Sequence, residues 1–118
     1  MKKIYYLSSC DTCKKIIETL QLSEDNFTFQ DIKNDAITEE QLSQMHDLAG
    51  SYEALFSKRA RLYKERGLKD KNLSEADFKN LILEHYTFLK RPVIIVNNTI
   101  FIGNAKKTVE AANIKING

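Results

Sequence analysis

The chain has 118 residues, 42% hydrophobic and 29% charged, enough for one domain with a real core and too few for two independent ones. Eighteen basic and sixteen acidic residues leave a formal charge of +2, too small for a nucleic-acid or polyanion binder. The apolar run Ile4 to Leu7 falls short of the roughly 7–15 residues of a signal-peptide core, and nothing approaches the ~20 apolar residues of a membrane span, so a cytoplasmic location is expected.

Residues 3–7, KIYYL, are rich in β-formers and read as a first strand. Cys13, Ile16, Ile17 and Leu20 then recur at i, i+3, i+4 and i+7, the apolar face of a helix. FTFQDI, residues 27–32, alternates Phe27, Phe29 and Asp31 and reads as a second strand. Strand, helix and strand within about 30 residues make a βαβ unit with two parallel strands.

A helical middle follows. Thr38 with Gln41 forms a capping box, Ile37 and Leu42 occupy the staple positions, Leu42, Met45 and Ala49 give a buried face, and Gly50 is a natural stop. YEALF (52–56) leads into KRARLYKERGLKDK (58–71), a basic stretch interrupted by acidic residues and read as a solvated face. Ser74 opens another capped helix, with Asp77 in its first turn and Phe78, Leu81, Ile82 and His85 along its face. VIIV (93–96) and TIFI (99–102), separated by Asn97-Asn98, predict a tight hairpin, and a short helix over about 104–112 closes the chain. The order βαβ, helical insertion, ββα is an α/β sandwich with a mixed four-stranded sheet and a helical lobe.

Both cysteines lie in LSSCDTCKK, Cys10 after the first strand and Cys13 one turn into the first helix. Where thiols stay reduced, such a pair is catalytic, redox-sensing or metal-binding more often than a structural staple. A helix N-terminus favours a thiolate and lowers a thiol pKa from ~8.5 into a range of roughly 3.5–7.5. Lys14 and Lys15 add positive charge, partly offset by Asp11. A structural zinc site needs four ligands, and beyond the two cysteines only the distant His46 and His85 are on offer, so no metal is expected. The histidines read as structural or surface residues. Arg91 precedes the only proline, Pro92, which opens the third strand. That bond is a candidate cis peptide, although composition alone favours a trans proline that only starts a strand; a cis bond there would bring Arg91 close to the Cys10 thiolate.

YYLSSCDTCKK, ALFSKRARLYKERGL with its following capped helix, and RPVIIV…TIFIGN together resemble the thioredoxin-fold family of ArsC-type arsenate reductases and the related Spx-type proteins. The resemblance covers essentially the whole chain. It implies a thioredoxin-like fold over one domain, 1–118, with the insertion at approximately 37–90. It also implies that Cys10 is the nucleophile, with Cys13 a candidate resolving partner. Arg91, Arg59 (the arginine of the Spx-like branch) and Thr12 would bind the anion, with Pro92 structural beside the site. The implied reaction is attack of the Cys10 thiolate on arsenate, another oxyanion or a disulfide. No cofactor is bound; glutathione or another thiol serves as co-substrate, with glutaredoxin or thioredoxin as a protein partner. Helix N–H groups and a guanidinium suit a tetrahedral oxyanion.

The chain departs from the glutaredoxin-linked reductases in three places. Ser57 and Gly103 stand where those enzymes carry two further arginines, and Cys13 has no counterpart in them. The alternative is an Spx-type regulator that docks on the RNA polymerase α subunit and uses Cys10–Cys13 as a redox switch. Gly50 lies near the corresponding glycine of that branch, although Gly118 comes before its C-terminal extension.

Overall fold

A computed structural model describes all 118 residues. In chain order the elements are β1 (Lys2–Tyr6), α1 (Asp11–Thr19), β2 (Thr28–Asp31), α2 (Glu39–Ala49), α3 (Arg61–Glu65), α4 (Glu75–Glu84), β3 (Val93–Val96), β4 (Thr99–Ile102) and α5 (Lys106–Asn117). Short 3-10 turns occupy Glu53–Leu55, Leu68–Asp70 and Tyr86–Phe88. The chain forms two compact units, Met1–Asp35 with Arg91–Gly118, and Ala36–Lys90.

The first unit holds one mixed sheet in the order β2-β1-β3-β4. β1 and β2 are parallel with Ile4 opposite Phe29; β1–β3 and β3–β4 are antiparallel with Ile94 opposite Ile4 and Phe101. This is the mixed four-stranded sheet expected from the element order, and it fits the thioredoxin-like fold that the resemblance implies. Because side chains alternate across a strand, Ile4, Phe29, Ile94 and Phe101 share a face. Ile16 and Leu20 of the α1 segment and Val109, Ala112 and Ile116 of α5 pack onto it. Tyr5, Val93 and Ile95 point the other way and are buried too. The Tyr5 hydroxyl finds no hydrogen-bond partner, and burial pushes it up to about 12.

One local expectation in this unit needs correction. The last helix runs to Asn117 rather than ending near 112, because Val109, Ala112 and Ile116 continue one apolar stripe against the sheet. Its end is also tied back, with Asn117 Nδ2 donating to the Leu20 carbonyl at 2.9 Å. The tight hairpin expected at Asn97-Asn98 forms, with Val96 opposite Thr99 and Asn97 at φ 56°.

The second unit is built on local signals. The Thr38–Gln41 and Ser74–Asp77 capping boxes both form, and Gly50 closes α2 at φ 89° in the left-handed region. Leu42, Met45, Phe78 and Ile82 are buried. Phe56 stacks on Phe88 at 5.3 Å and meets Phe78 at 4.8 Å. The Ser57 amide donates to the Phe88 carbonyl at 2.7 Å and the Lys90 amide to that of Leu55 at 2.8 Å, so the ends of the unit's second half lie side by side. His85 does not extend the α4 face. It ends the helix in extended conformation, and its Nδ1 accepts from the Thr87 amide at 3.0 Å. His46 stacks on Tyr52 at 4.1 Å. In the basic stretch Arg66 pairs with Glu84 at 2.6 Å and Lys58 with Glu53 at 2.8 Å.

Candidate active site

Strand direction decides where the site residues fall. β1, β2 and β4 run one way and β3 the other. The ends of β1, β2 and β4 and the start of β3 therefore line one edge of the sheet. Residues 7–10, 32–35, 91–92 and 103 follow or precede those ends, which brings Arg91 to the edge that carries Cys10.

Cys10 is the N-cap of α1, with φ −94° and ψ 113°. Its amide donates to the Leu7 carbonyl and its carbonyl accepts from the Lys14 amide, both at 3.1 Å. The side chain thus sits over the first turn, where amide groups lack helical partners. A neutral thiol is a weak acceptor, and no full side-chain cap bond forms. A thiolate gains far more there. Burial alone would push the Cys10 thiol up. The Cys13 amide and thiol, the Thr12 amide and the Arg91 guanidinium outweigh it and hold Cys10 below its ordinary value. Arg91 is the cation acting on the sulfur, while Lys14 and Lys15 are exposed on α1.

Cys13 is the opposite case. It is 0% exposed, and burial pushes its thiol up to about 11, with the neighbouring Cys10 adding to the rise. Both cysteines are free thiols. One turn of helix therefore separates a thiol tuned to ionise from one tuned to keep its proton.

The Arg91–Pro92 bond is cis. Pro92 is buried, and its carbonyl accepts from the Gly103 amide at 2.9 Å, which ties the start of β3 to the end of β4. Gly103 has φ 87°, a conformation that favours glycine. Cys10, Thr12, Cys13, Arg91 and Pro92 thus stand together in the first unit. Arg59 belongs to the second, exposed in the turn at 58–59 ahead of α3. No cluster of three or more His, Cys, Asp or Glu side chains is arranged to hold a metal ion.

One contact escaped the sequence reasoning. Ser8 Oγ, in the loop before Cys10, donates to Asp31 Oδ2 at 2.5 Å. The Asp31 carboxylate also accepts from the Lys33 amide at 3.3 Å and Asn34 Nδ2 at 3.1 Å. The Ser8 hydroxyl, ahead of these, holds it below the usual carboxylate range. The available signal was a carboxylate at the end of a strand face that otherwise carries Phe27 and Phe29.

Residues 5–112 match the ArsC family. The chain belongs to that family. The global transcriptional regulator Spx 2 of Bacillus anthracis is 27% identical over 105 residues, which cover 87% of this chain and 79% of that protein. Among solved structures, an ArsC family related protein from Bacteroides fragilis superposes with a TM-score of 0.78 at 23% identity, covering 94% of this chain and 97% of the other. The arsenate reductase from Vibrio cholerae gives 0.76 at 19% identity, covering 98% and 96%. At such identities the structural likenesses establish a shared ArsC fold. Within it, this member has a second cysteine buried behind the first.

Proposed function

We propose that this ArsC family member is a thiol-dependent oxidoreductase whose Cys10 thiolate attacks an oxyanion or a disulfide. The observation that carries this reading is the opposed tuning of the two sulfurs, Cys10 lowered by amides and a guanidinium and Cys13 raised to about 11. The groups that stabilise the thiolate also suit a tetrahedral anion, since helix amides and a guanidinium donate to oxyanions. With a disulfide, Cys10 sulfur bonds to one substrate sulfur and the other leaves as a thiolate that takes up a proton. The Cys10 negative charge is then gone, which removes one of the causes that hold Cys13 protonated. Cys13 can lose its proton and attack Cys10 sulfur, closing a Cys10–Cys13 disulfide and releasing the second substrate thiol. Two equivalents of an external thiol such as glutathione, leaving as their own disulfide, or a glutaredoxin or thioredoxin, then return both cysteines to the reduced state. With an oxyanion, Thr12 and Arg91 would hold the substrate.

The test combines kinetics with site-resolved mass spectrometry. Cys10→Ser should abolish thiol-dependent reduction of arsenate and of small disulfides, and unchanged turnover on both would remove the reading. Oxidation with glutathione present should trap a Cys10–Cys13 disulfide if Cys13 resolves, or a Cys10–glutathione adduct if an external thiol does.

The likeness to Spx 2 supports a second reading, a redox-responsive regulator that docks on the RNA polymerase α subunit. A pull-down with the polymerase α C-terminal domain, run on reduced and oxidised protein, separates the two. Absence of binding in both states eliminates the regulator.

A further inference from the structure

The low-pKa environment of Cys10 depends on orientation, because its sulfur must face the Thr12 and Cys13 amides. The chain reaching it is an exposed turn: Ser8 and Ser9 follow the end of β1, and the backbone bond from the Cys10 amide to the Leu7 carbonyl closes the turn on itself. That bond fixes the shape of the turn without fixing it to the sheet. Ser8 supplies the tether: its hydroxyl donates to Asp31 at 2.5 Å, a charge-assisted hydrogen bond and the larger influence on the carboxylate, and its backbone amide donates to the same carboxylate. Asp31 is a firm anchor. It is paired with Tyr6 in the parallel ladder, and the Ile32 amide donates to the Tyr6 carbonyl at 3.0 Å. Its own carbonyl accepts from the Asn34 and Asp35 amides at 3.1 and 2.8 Å, and its second carboxylate oxygen accepts from the Lys33 amide.

We propose that Asp31 is a positioning residue for Cys10: through Ser8 it pins the turn between β1 and α1 to the neighbouring strand, so that the sulfur is delivered to the first-turn amides. Asp31 touches no reacting atom. The inference rests on the reading of Cys10 as a thiolate nucleophile. In the segments that meet at this edge the charged or titratable groups include Asp11, Lys14 and Lys15 on α1, Cys13 beneath it, Tyr6 on β1 with Glu24 acting on it, Lys33 and Asp35 after β2 and Arg91 before β3. Asp31 itself carries a negative charge, and if that charge acted directly on Cys10 it would oppose the thiolate. The anchor and the bare charge therefore predict opposite signs.

The experiment follows the pH dependence of iodoacetamide alkylation at Cys10, resolved by mass spectrometry, in the full chain and in Ser8→Ala, Ser8→Thr, Asp31→Ala and Asp31→Asn. Thermal unfolding of each variant accompanies it. Ser8→Ala and Asp31→Ala should raise the apparent Cys10 pKa by about half a unit, a roughly threefold lower thiolate fraction at pH below both values. Ser8→Thr, which keeps the hydroxyl, and Asp31→Asn, which keeps an acceptor, should stay at or below the parent value. A purely structural contact would lower the melting temperature and leave the pKa in place. A parent value below the ordinary thiol value with no rise in Ser8→Ala overturns the positioning role and leaves the nucleophile standing. The same holds if both Asp31 variants lower the pKa. A parent Cys10 that titrates near ~8.5 overturns the nucleophile reading and the positioning role together. Should Asp31→Ala not fold, the exposed Ser8 pair decides alone.

Discussion

At the N-cap of α1 the Cys10 sulfur meets two amides and a guanidinium, whereas Cys13 is sealed among buried groups and holds its proton to about 11. Each shift is also a statement about stability. Well below the ordinary thiol value of ~8.5, Cys13 is protonated in both folded and unfolded chains and contributes no pH dependence. Above it the unfolded chain ionises first, so stability falls as pH rises and stops falling once pH passes about 11. Tyr5 repeats the pattern higher up, between 10.0 and about 12. Cys10 has the opposite sign: its lowered value adds stability that is complete above the unfolded pKa and is lost as pH falls through the folded one. Cys13→Ala should therefore lose less stability than the parent between about pH 8 and about pH 10.5, by on the order of 2 kcal/mol in urea unfolding. Equal losses in the two proteins would show that Cys13 is not protected from ionisation.

Elements whose signals are local form where the residues say they should. Thr38 and Ser74 each satisfy a first-turn amide, and Gln41 and Asp77 return the bond to the cap amide. Thr38→Ala should cost about 1 kcal/mol of the stability of the unit containing α2, read from denaturant midpoints. A loss indistinguishable from zero would mean that Gln41 and packing hold the helix start without the hydroxyl. Elements set by distant partners were less legible. The end of α5 depends on Ala112 and Ile116 meeting the sheet and on Asn117 reaching Leu20, which lies 97 positions away. His85 lies on the helical period of α4, yet the backbone turns extended there and the ring caps the Tyr86–Phe88 turn instead.

At the scale of the molecule, β1 and β3 are the inner strands, each paired on both sides, while β2 and β4 are edges. Amide hydrogen exchange should be slowest at the ladder positions around Ile4 and Ile94, with edge amides of β4 faster, because inner strands open only with the sheet. Equal protection across all four strands would contradict this order. The same topology explains what the sequence disclosed about the site. Cys10 and Cys13 were legible from a strand followed by a helix, and Arg91 from its place before a strand-opening proline. The Ser8–Asp31 contact depends on Tyr6 lying opposite Asp31, a register that no motif announces.

Arg91 also has a consequence in time. The amides that favour the Cys10 thiolate come from the next three residues, but the guanidinium comes from a residue 81 positions later, 91 − 10, and reaches the edge only when β3 pairs antiparallel with β1. During synthesis the N-terminal strand, helix and second strand emerge long before that partner does. A nascent chain therefore carries a Cys10 that lacks its distant cation, and the sulfur gains that stabilisation only once β3 has paired with β1.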